Sequence, residues 1–177
     1  MTRRADTSDA EIVHKLYGLT PAYFDIISIP IPTLDEVRTD LATAGADPRR
    51  HIELILLPES ADAASLTGEE PLDPVTGRLV AGYLDYKLDY PEAGDATVNL
   101  LLVLPWLQSL GLGSACANDL EARLGGRSRR LLASIYGSNP RARQFWEKLG
   151  YTFAIDARPI LVWYAKLLAP AGAAAAG

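Results

Sequence analysis

Signals for three helices precede the first strand pattern of the chain. Two of them are capping boxes, in which a serine or threonine is followed three residues later by a glutamate, and the third is a threonine directly before a proline. Each signal places the start of a helix, and a glycine marks the expected end of the first and the third. The helix starts are Ser8 with Glu11, Thr20 with Pro21, and Thr33 with Glu36, and the marking glycines are Gly18 and Gly45.

Strand patterns dominate after residue 50. Residues 78–90 alternate between two faces, and Asp85 shares the more polar face with Tyr83. Residues 96–104 are almost wholly apolar, as expected of a central strand that is covered on both faces. The other predicted elements are strands at 51–57, 130–136, 151–155 and 160–167 and helices that begin near residues 112 and 139.

This order of helices and strands predicts one α/β (α+β) domain built on a mixed sheet. The chain has 177 residues, a length that a single hydrophobic core usually serves. The domain is expected to span residues 8–168, between a loose N-terminal tail at 1–7 and a frayed, alanine-rich tail at 169–177.

Composition argues against several kinds of partner. The formal net charge is -5 and the densest basic run, Arg127 to Arg130, is short, so nucleic acid is not an expected partner. No apolar run approaches the ~20 residues of a membrane-spanning helix, and the N-terminus lacks the apolar core of a signal peptide. The single cysteine, Cys116, and the two histidines show no metal-ligand spacing. These features indicate a cytoplasmic protein with neither a membrane partner nor a metal site.

Two closely spaced glycines join the apolar strand at 96–104 to the next helix. Gly111 and Gly113 lie at the predicted helix start, where backbone amides have no internal partner and the helix dipole favours negative charge. Such glycines let a pyrophosphate approach the backbone closely, although a plain tight turn would use them equally well. The segment therefore predicts diphosphate binding by main-chain amides, with Gln108 at one edge. It is neither a P-loop nor a full dinucleotide fingerprint, because no Gly-Lys-Ser/Thr follows and Cys116 replaces the third glycine.

Two ordered motifs, at residues 103–113 and 139–151, resemble those of the GCN5-related N-acetyltransferase superfamily, usually called GNAT. The first has the form V-x-P-x-x-R/Q-x-x-G-x-G/A, and the second, about one strand later, the form N-x-x-A-x-x-F-Y/W-x-x-x-G-F/Y. The resemblance covers roughly residues 8–168, and its firm part is 96–153. The first motif matches at Val103, Pro105, Gln108, Gly111 and Gly113, and the second at Asn139, Ala142, Phe145, Trp146, Gly150 and Tyr151.

The resemblance implies a mostly antiparallel sheet, flanked by helices, in which two central parallel strands splay apart. It implies that acetyl-CoA lies between the strands ending at Val103 and Tyr136, with its pantetheine arm paired to the backbone of Leu101, Leu102 and Val103. It also implies that Asn139 contacts this arm. The pyrophosphate is then expected on the amides of Gln108, Ser109, Leu110, Gly111, Leu112, Gly113 and Ser114.

Direct transfer of the acetyl group to an amine is the reaction that the resemblance implies. Many GNAT enzymes carry a tyrosine as the general acid where this chain has Trp146, whose indole is not a practical acid. Trp146 is therefore expected to wall the cofactor channel, and Tyr136 is either the replacement acid or a structural tyrosine. The glutamate base of many relatives is also missing, since the central strand has Thr97 and Asn99. The candidate bases on neighbouring strands are Asp85, which the alternation favours, Asp89 and Glu53.

The leading hypothesis is an N-acetyltransferase that moves the acetyl group of acetyl-CoA to a primary amine of a small molecule or a protein. The aromatic residues Tyr17, Tyr23 and Phe24 lie in the first helices, where this family largely selects its substrates, but core packing explains them equally well. A catalytically inactive GNAT-like acyl-CoA-binding or sensor domain is the second hypothesis, motivated by the missing tyrosine and glutamate. A nucleotide-binding domain that uses the same glycine turn is the third. Dimerisation is common in the family, so a homodimer is compatible with the sequence.

Overall fold

Residues 1–58, 71–158 and 161–168 are described by the computed structural model. Within these ranges, one seven-stranded sheet is accompanied by five α-helices. The predicted tail at 169–177 lies outside the described residues. The strands are β1 (Thr2–Arg4), β2 (Arg50–Leu56), β3 (Val80–Leu88), β4 (Asp95–Val103), β5 (Arg130–Tyr136), β6 (Thr152–Arg158) and β7 (Leu161–Leu167). The helices are α1 (Ala10–Gly18), α2 (Pro21–Ile27), α3 (Leu34–Ala46), α4 (Leu112–Leu124) and α5 (Pro140–Lys148).

The strand order of the sheet is β1-β2-β3-β4-β5-β7-β6. Neighbouring strands run antiparallel except β4 and β5, which are parallel and joined by the helical crossover through α4. The predicted α/β fold with a mixed, mostly antiparallel sheet is therefore confirmed.

The parallel pair β4–β5 separates after four residues. Pairing runs from Asp95 opposite Arg130 to Val98 opposite Ala133 and stops there. β4 then continues to Val103 along β3, while β5 continues to Tyr136 along β7. The sheet consequently opens between its two central strands, as the resemblance implied.

Helices cover the two faces of the sheet. On one face, Arg123 of α4 bonds to Glu53 of β2. On the other face, Asp40 of α3 bonds to Arg50, which continues to Asp85 of β3. Every residue of β3 is buried except Lys87, so the strand has no solvated polar face of the kind that its alternation suggested. Helices on both sides bury the polar positions of this strand together with the apolar ones.

The expectation of a loose tail at residues 1–7 is wrong. Thr2–Arg4 forms the edge strand β1, in register with Glu53 to Ile55 of β2. Arg3 Nε donates to Asp73 Oδ1 at 2.9 Å, and Arg3 Nη1 donates to Asp9 Oδ2 at 2.9 Å, which ties the segment to two buried carboxylates. A three-residue strand with two arginines carries no apolar alternation, so its sequence shows no strand pattern.

The first capping box also differs from its prediction. Asp6 and Asp9 form it around a short 3₁₀ turn at Thr7–Asp9 that leads into α1, whereas Ser8 and Glu11 do not. The signal on α3 behaves as predicted, because Thr33 with Glu36 makes a complete capping box. Helix α2 begins at Pro21 as predicted, but the side chain of Thr20 donates to Leu16 O and does not cap the helix. Aspartate caps a helix as effectively as serine does. The sequence therefore contains two overlapping capping boxes, and the structure uses the one formed by Asp6 and Asp9.

Other expectations concern partners and the lone thiol. None of the described helices combines the length and the apolar character that a bilayer-spanning segment needs. Within the described ranges, no group of three or more His, Cys, Asp or Glu side chains is arranged to hold a metal ion. Cys116 is buried in α4, and burial raises the pKa of its thiol to about 12, so it packs as a small hydrophobe and is not a nucleophile.

Asp95 anchors the paired end of β4 and β5. Its side chain is fully buried and accepts hydrogen bonds from Arg130 Nη2 at 2.6 Å and Arg129 Nε at 3.1 Å. Burial raises the pKa of Asp95, but the bonds from Arg130 and Arg129 outweigh it and hold that pKa below its ordinary value of 3.8. Because the folded-state pKa is depressed, this stabilisation is present above the unfolded-state pKa and is lost as pH falls through the folded-state value.

Asp95→Asn is therefore expected to destabilise the protein in a pH-dependent way. At pH 7 we expect a loss of about 2 kcal/mol in the free energy of unfolding, because the charge-assisted bonds disappear while the partly exposed arginines keep some solvation. The difference from the wild type should be smaller at pH 3, because the unfolded chain then takes up a proton that the folded Asp95 resists. Urea unfolding at both pH values measures it, and an equal loss at both would contradict the argument.

Candidate active site

β4 offers unpaired backbone groups where it separates from β5. Leu104 N donates to Ala81 O at 2.9 Å, so by alternation the backbone groups of Leu102 also face β3. The backbone groups of Leu101 and Val103 then face the opening, where Val103 O already accepts a hydrogen bond from the side chain of Gln108. Three residues are predicted to pair with a pantetheine arm. The backbone groups of Leu101 and Val103 face the opening as that pairing requires, whereas those of Leu102 face β3. An extended ligand rich in amides can add to such an edge as an extra strand.

The corner between β4 and α4 is open, and its amides are unused. Gly111 is the N-cap of α4 with a φ of 84°, and Ser109 adopts a φ of 63°. Within the described residues, none of the backbone amides from Ser109 to Ser114 donates a hydrogen bond, and these residues are exposed or half-buried. Free amides at a helix start form a binding site for a phosphate group. The residues present therefore fit the predicted diphosphate.

Gln108 has a different role from its neighbours. Its backbone amide already donates to Pro105 O at 3.3 Å. Its side-chain Nε2 donates to Val103 O at 2.9 Å, so it links the corner to the open edge of β4. Gln108 therefore fixes the shape of the corner, and its amide is not one of the free donors.

The two sequence motifs meet in space at Gly113. A Cβ at this position would lie 3.4 Å from the ring of Phe145 and 3.9 Å from Val103 Cγ2. These are ordinary contact distances, so the first turn of α4 packs beside α5 and the end of β4. Asn139 caps α5, as predicted, because its Oδ1 accepts from Ala142 N at 3.0 Å.

Trp146 lies mainly in the core. Its side chain packs against Phe145 and Tyr151, with ring centroids 4.9 and 4.8 Å apart, and only 5% of the residue is exposed. Its place in the wall of a cofactor channel stays a prediction, and this packing leaves little of the ring free for such a role.

Asp85 belongs to a chain of charged side chains on the face covered by α1 and α3. Its Oδ2 accepts from Arg50 Nη2 at 2.6 Å and its Oδ1 from Asn99 Nδ2 at 3.0 Å. Arg50 in turn makes two bonds to Asp40, at 2.7 and 2.9 Å. Sequence reasoning found Asp85 and missed Arg50 and Asp40, because no local pattern connects residues that distant strands and helices bring together.

A group of tyrosines lies beside this charged chain. Burial raises the pKa of Tyr17 to about 12 and also raises the pKa of Tyr23. Tyr136, Tyr17 and Asp85 add smaller electrostatic effects at Tyr23, so the structure brings the two candidate catalytic residues, Asp85 and Tyr136, into the surroundings of one phenol. Tyr17 and Tyr83 pack edge to face, with centroids 5.6 Å apart.

A pocket of about 270 Å³ opens on the same face of the sheet. It lies between α1, the segment at 29–32 and α3, and its walls are mainly apolar with two acidic residues. Its size and lining suit the body of a small organic molecule or a side chain. The lining residues are Val13, Tyr17, Ile29, Pro30, Pro32, Glu36, Val37, Asp40, Leu41 and Tyr83.

Comparison with known proteins decides the family. Residues 37–151 match the model of the acetyltransferase (GNAT) family. The chain belongs to the GNAT acetyltransferase family. The matched range contains the open edge of β4, the free amides at the start of α4 and the second motif on α5.

Solved GNAT structures share this architecture over nearly the whole chain. An acetyltransferase from Thermus thermophilus is 38% identical, with a TM-score of 0.79, covering 95% of this chain and 96% of that one. An aminoglycoside acetyltransferase in complex with coenzyme A is 15% identical, with a TM-score of 0.70 and 94% of both chains covered. An N-acetyltransferase from Thermoplasma acidophilum, also in complex with coenzyme A, is 12% identical, with a TM-score of 0.64, covering 94% of this chain and 98% of that one. No match was found among curated proteins.

Proposed function

We propose that this GNAT protein transfers the acetyl group of acetyl-CoA directly to a primary amine of a small molecule or a protein. The proposal depends chiefly on one observation, which is the open backbone edge of β4 beside a run of unused amides from Ser109 to Ser114. The amides would hold the diphosphate. The backbone of Leu101 and the amide of Val103 would hold the pantetheine arm, since Val103 O already accepts from Gln108 Nε2. The structural likeness to two acetyltransferases in complex with coenzyme A supports the assignment.

In this reaction, acetyl-CoA would donate its acetyl group to a bound amine. The amine nitrogen forms a bond to the acetyl carbon, the carbon–sulfur bond breaks, and the proton lost from nitrogen is balanced by protonation of the sulfur. We propose Tyr136, at the end of β5 beside the opening, as the group that protonates the sulfur. Asp85 stays a candidate base, but its bonds to Arg50 and Asn99 favour a positioning role over direct proton transfer.

Tyr136→Phe tests the proposed acid. The change removes the hydroxyl and keeps the ring, so kcat should fall by about a hundredfold while the dissociation constant of acetyl-CoA stays within about twofold. Steady-state kinetics and isothermal titration calorimetry measure the two quantities. An unchanged kcat would assign Tyr136 to packing.

Release of free CoA thiol across a panel of primary amines tests the function itself. Turnover with at least one amine is the expected result, and binding of NAD or ATP in place of acetyl-CoA would contradict the assignment. Tight acetyl-CoA binding with no turnover would favour the second candidate, an inactive acyl-CoA-binding or sensor domain. The observations that favour this candidate are the engaged carboxylate of Asp85 and the buried Trp146 at the position of the usual acid.

We also infer that the protein acts in the cytoplasm on a small-molecule or peptide amine. The buried thiol of Cys116 suits a reducing compartment, and an acidic chain suits a cationic substrate. A homodimer stays a prediction, and sedimentation equilibrium would test it.

A further inference from the structure

We propose that Asn99 binds the acceptor amine through its side-chain oxygen and orients the amine nitrogen towards the acetyl group. This inference deepens the proposed function and rests on it. It concerns a residue on the central strand that sequence reasoning set aside, because an amide cannot act as a base.

Asn99 is the extra residue of a bulge in β4. Asp85 pairs with Leu100 and Tyr86 pairs with Val98, so no residue of β3 lies opposite Asn99. Val98 is also the last residue of β4 that pairs with β5. Asn99 is therefore the first residue of the opening between the central strands, at a backbone irregularity of the kind that redirects a side chain.

The orientation of the Asn99 amide follows from its partner. Nδ2 donates to Asp85 Oδ1 at 3.0 Å, and a carboxylate can only accept, so the oxygen of the amide must point away from Asp85. No described residue donates a hydrogen bond to Asn99 Oδ1, and this atom is not among the buried polar atoms that lack a partner. The half-buried residue thus presents an accessible hydrogen-bond acceptor at the opening of the sheet.

The charged chain behind Asn99 holds it in place and sets the local charge. Arg50 bonds to Asp85 on one side and to Asp40 on the other. Two carboxylates therefore share one guanidinium, which leaves a net charge of about minus one next to the opening and favours the approach of a cationic amine. The neighbours that follow on β4 are leucines, so the amide is the polar group at this point of the strand.

The contact would matter most while the new bond forms. As nitrogen attacks the acetyl carbon it acquires positive charge, and its hydrogen bond to Asn99 Oδ1 becomes charge-assisted. An interaction that strengthens in the transition state raises kcat as well as kcat/KM for the amine. Its removal should lower kcat/KM for the amine by about ten- to a hundredfold.

Two substitutions test the inference. Asn99→Ala removes the amide, and Asn99→Leu removes it while keeping a similar volume in a strand that already contains leucines. We expect both to lower kcat/KM for the amine by at least about tenfold, with the dissociation constant of acetyl-CoA within about twofold of the wild type. Thiol release at varied amine concentration and calorimetric titration with acetyl-CoA provide the two readouts.

Thr97→Val is the matched control on the same strand. Thr97 Oγ1 is buried and donates to Tyr90 O at 2.6 Å. This change should therefore lower the melting temperature without lowering kcat/KM for the amine. Wild-type kcat/KM in both Asn99 variants would overturn the inference alone. A wild-type protein that acetylates no amine would overturn the proposed function and the inference together.

Discussion

Replacing Ser114 by aspartate is expected to weaken acetyl-CoA binding by about a hundredfold while leaving the fold intact. Ser114 is the third residue of α4, and its amide is one of the unused donors at the helix start. A carboxylate there would lie close to the diphosphate, and two unit charges about 4 Å apart repel by roughly 4 kcal/mol at an effective dielectric constant of ~20. Even part of that repulsion accounts for a hundredfold loss.

The same substitution should leave the helix stable. Acidic side chains in the first turn of a helix interact favourably with its dipole, by about 0.5 kcal/mol. A loss of binding without a loss of melting temperature therefore separates an electrostatic effect at the site from unfolding. Calorimetric titration with acetyl-CoA and a thermal melt measure the two effects.

Ser114→Asn is the control, because asparagine has nearly the same volume as aspartate but carries no charge. We expect it to weaken binding by less than about tenfold, since no ionic repulsion arises. The loss of acetyl-CoA affinity in Ser114→Asp should also become smaller as salt is added, because salt screens exposed charges. Wild-type affinity in Ser114→Asp would show that the diphosphate binds elsewhere.

Gly82→Ala is expected to produce the largest loss of stability, about 3 kcal/mol in the free energy of unfolding. A Cβ at Gly82 would lie 2.1 Å from Leu102 O and 3.2 Å from Ile55 Cδ1. The nearer atom belongs to the backbone of β4, so relief requires the β3–β4 pair to move apart. For a chain of this size the loss corresponds to a fall of about 9 °C in the melting temperature.

Gly45→Ala provides the matched control in the same chain. Gly45 is exposed in α3, and nothing lies within 4 Å of the position that its Cβ would take. Alanine is favoured over glycine inside a helix, so we expect a gain of about 0.7 kcal/mol. Urea unfolding of both variants measures the contrast, and a Gly82→Ala protein as stable as the wild type would refute the steric argument.

Features that depend on neighbouring residues could be predicted from the sequence. The capping box of Thr33 with Glu36, the apolar central strand and the glycine turn before α4 all rest on short-range patterns, and all three are confirmed. Periodicity, caps and glycine conformations act over a few residues, so their signals survive without any knowledge of the fold.

Features that depend on the fold could not be predicted. The edge strand β1 is held by Arg3, which reaches Asp73, a residue 70 positions away. The partner that engages Asp85 is Arg50, 35 positions away in the sequence. The orientation of Asn99 Oδ1 follows from the bulge in β4 and from the hydrogen bond of Asn99 Nδ2 to Asp85. It is therefore recognised only when β3 and β4 lie side by side.

The gap between β4 and β5 has a consequence for the lifetime of the protein. Acetyl-CoA bound in this gap, as proposed, would stabilise the folded protein. A ligand that binds only the folded state adds about 2.7 kcal/mol to the free energy of unfolding at a hundred times its dissociation constant. If acetyl-CoA binds as proposed, its concentration would affect the abundance of this protein as well as its rate, because fewer molecules would unfold and reach proteases when the ligand is plentiful.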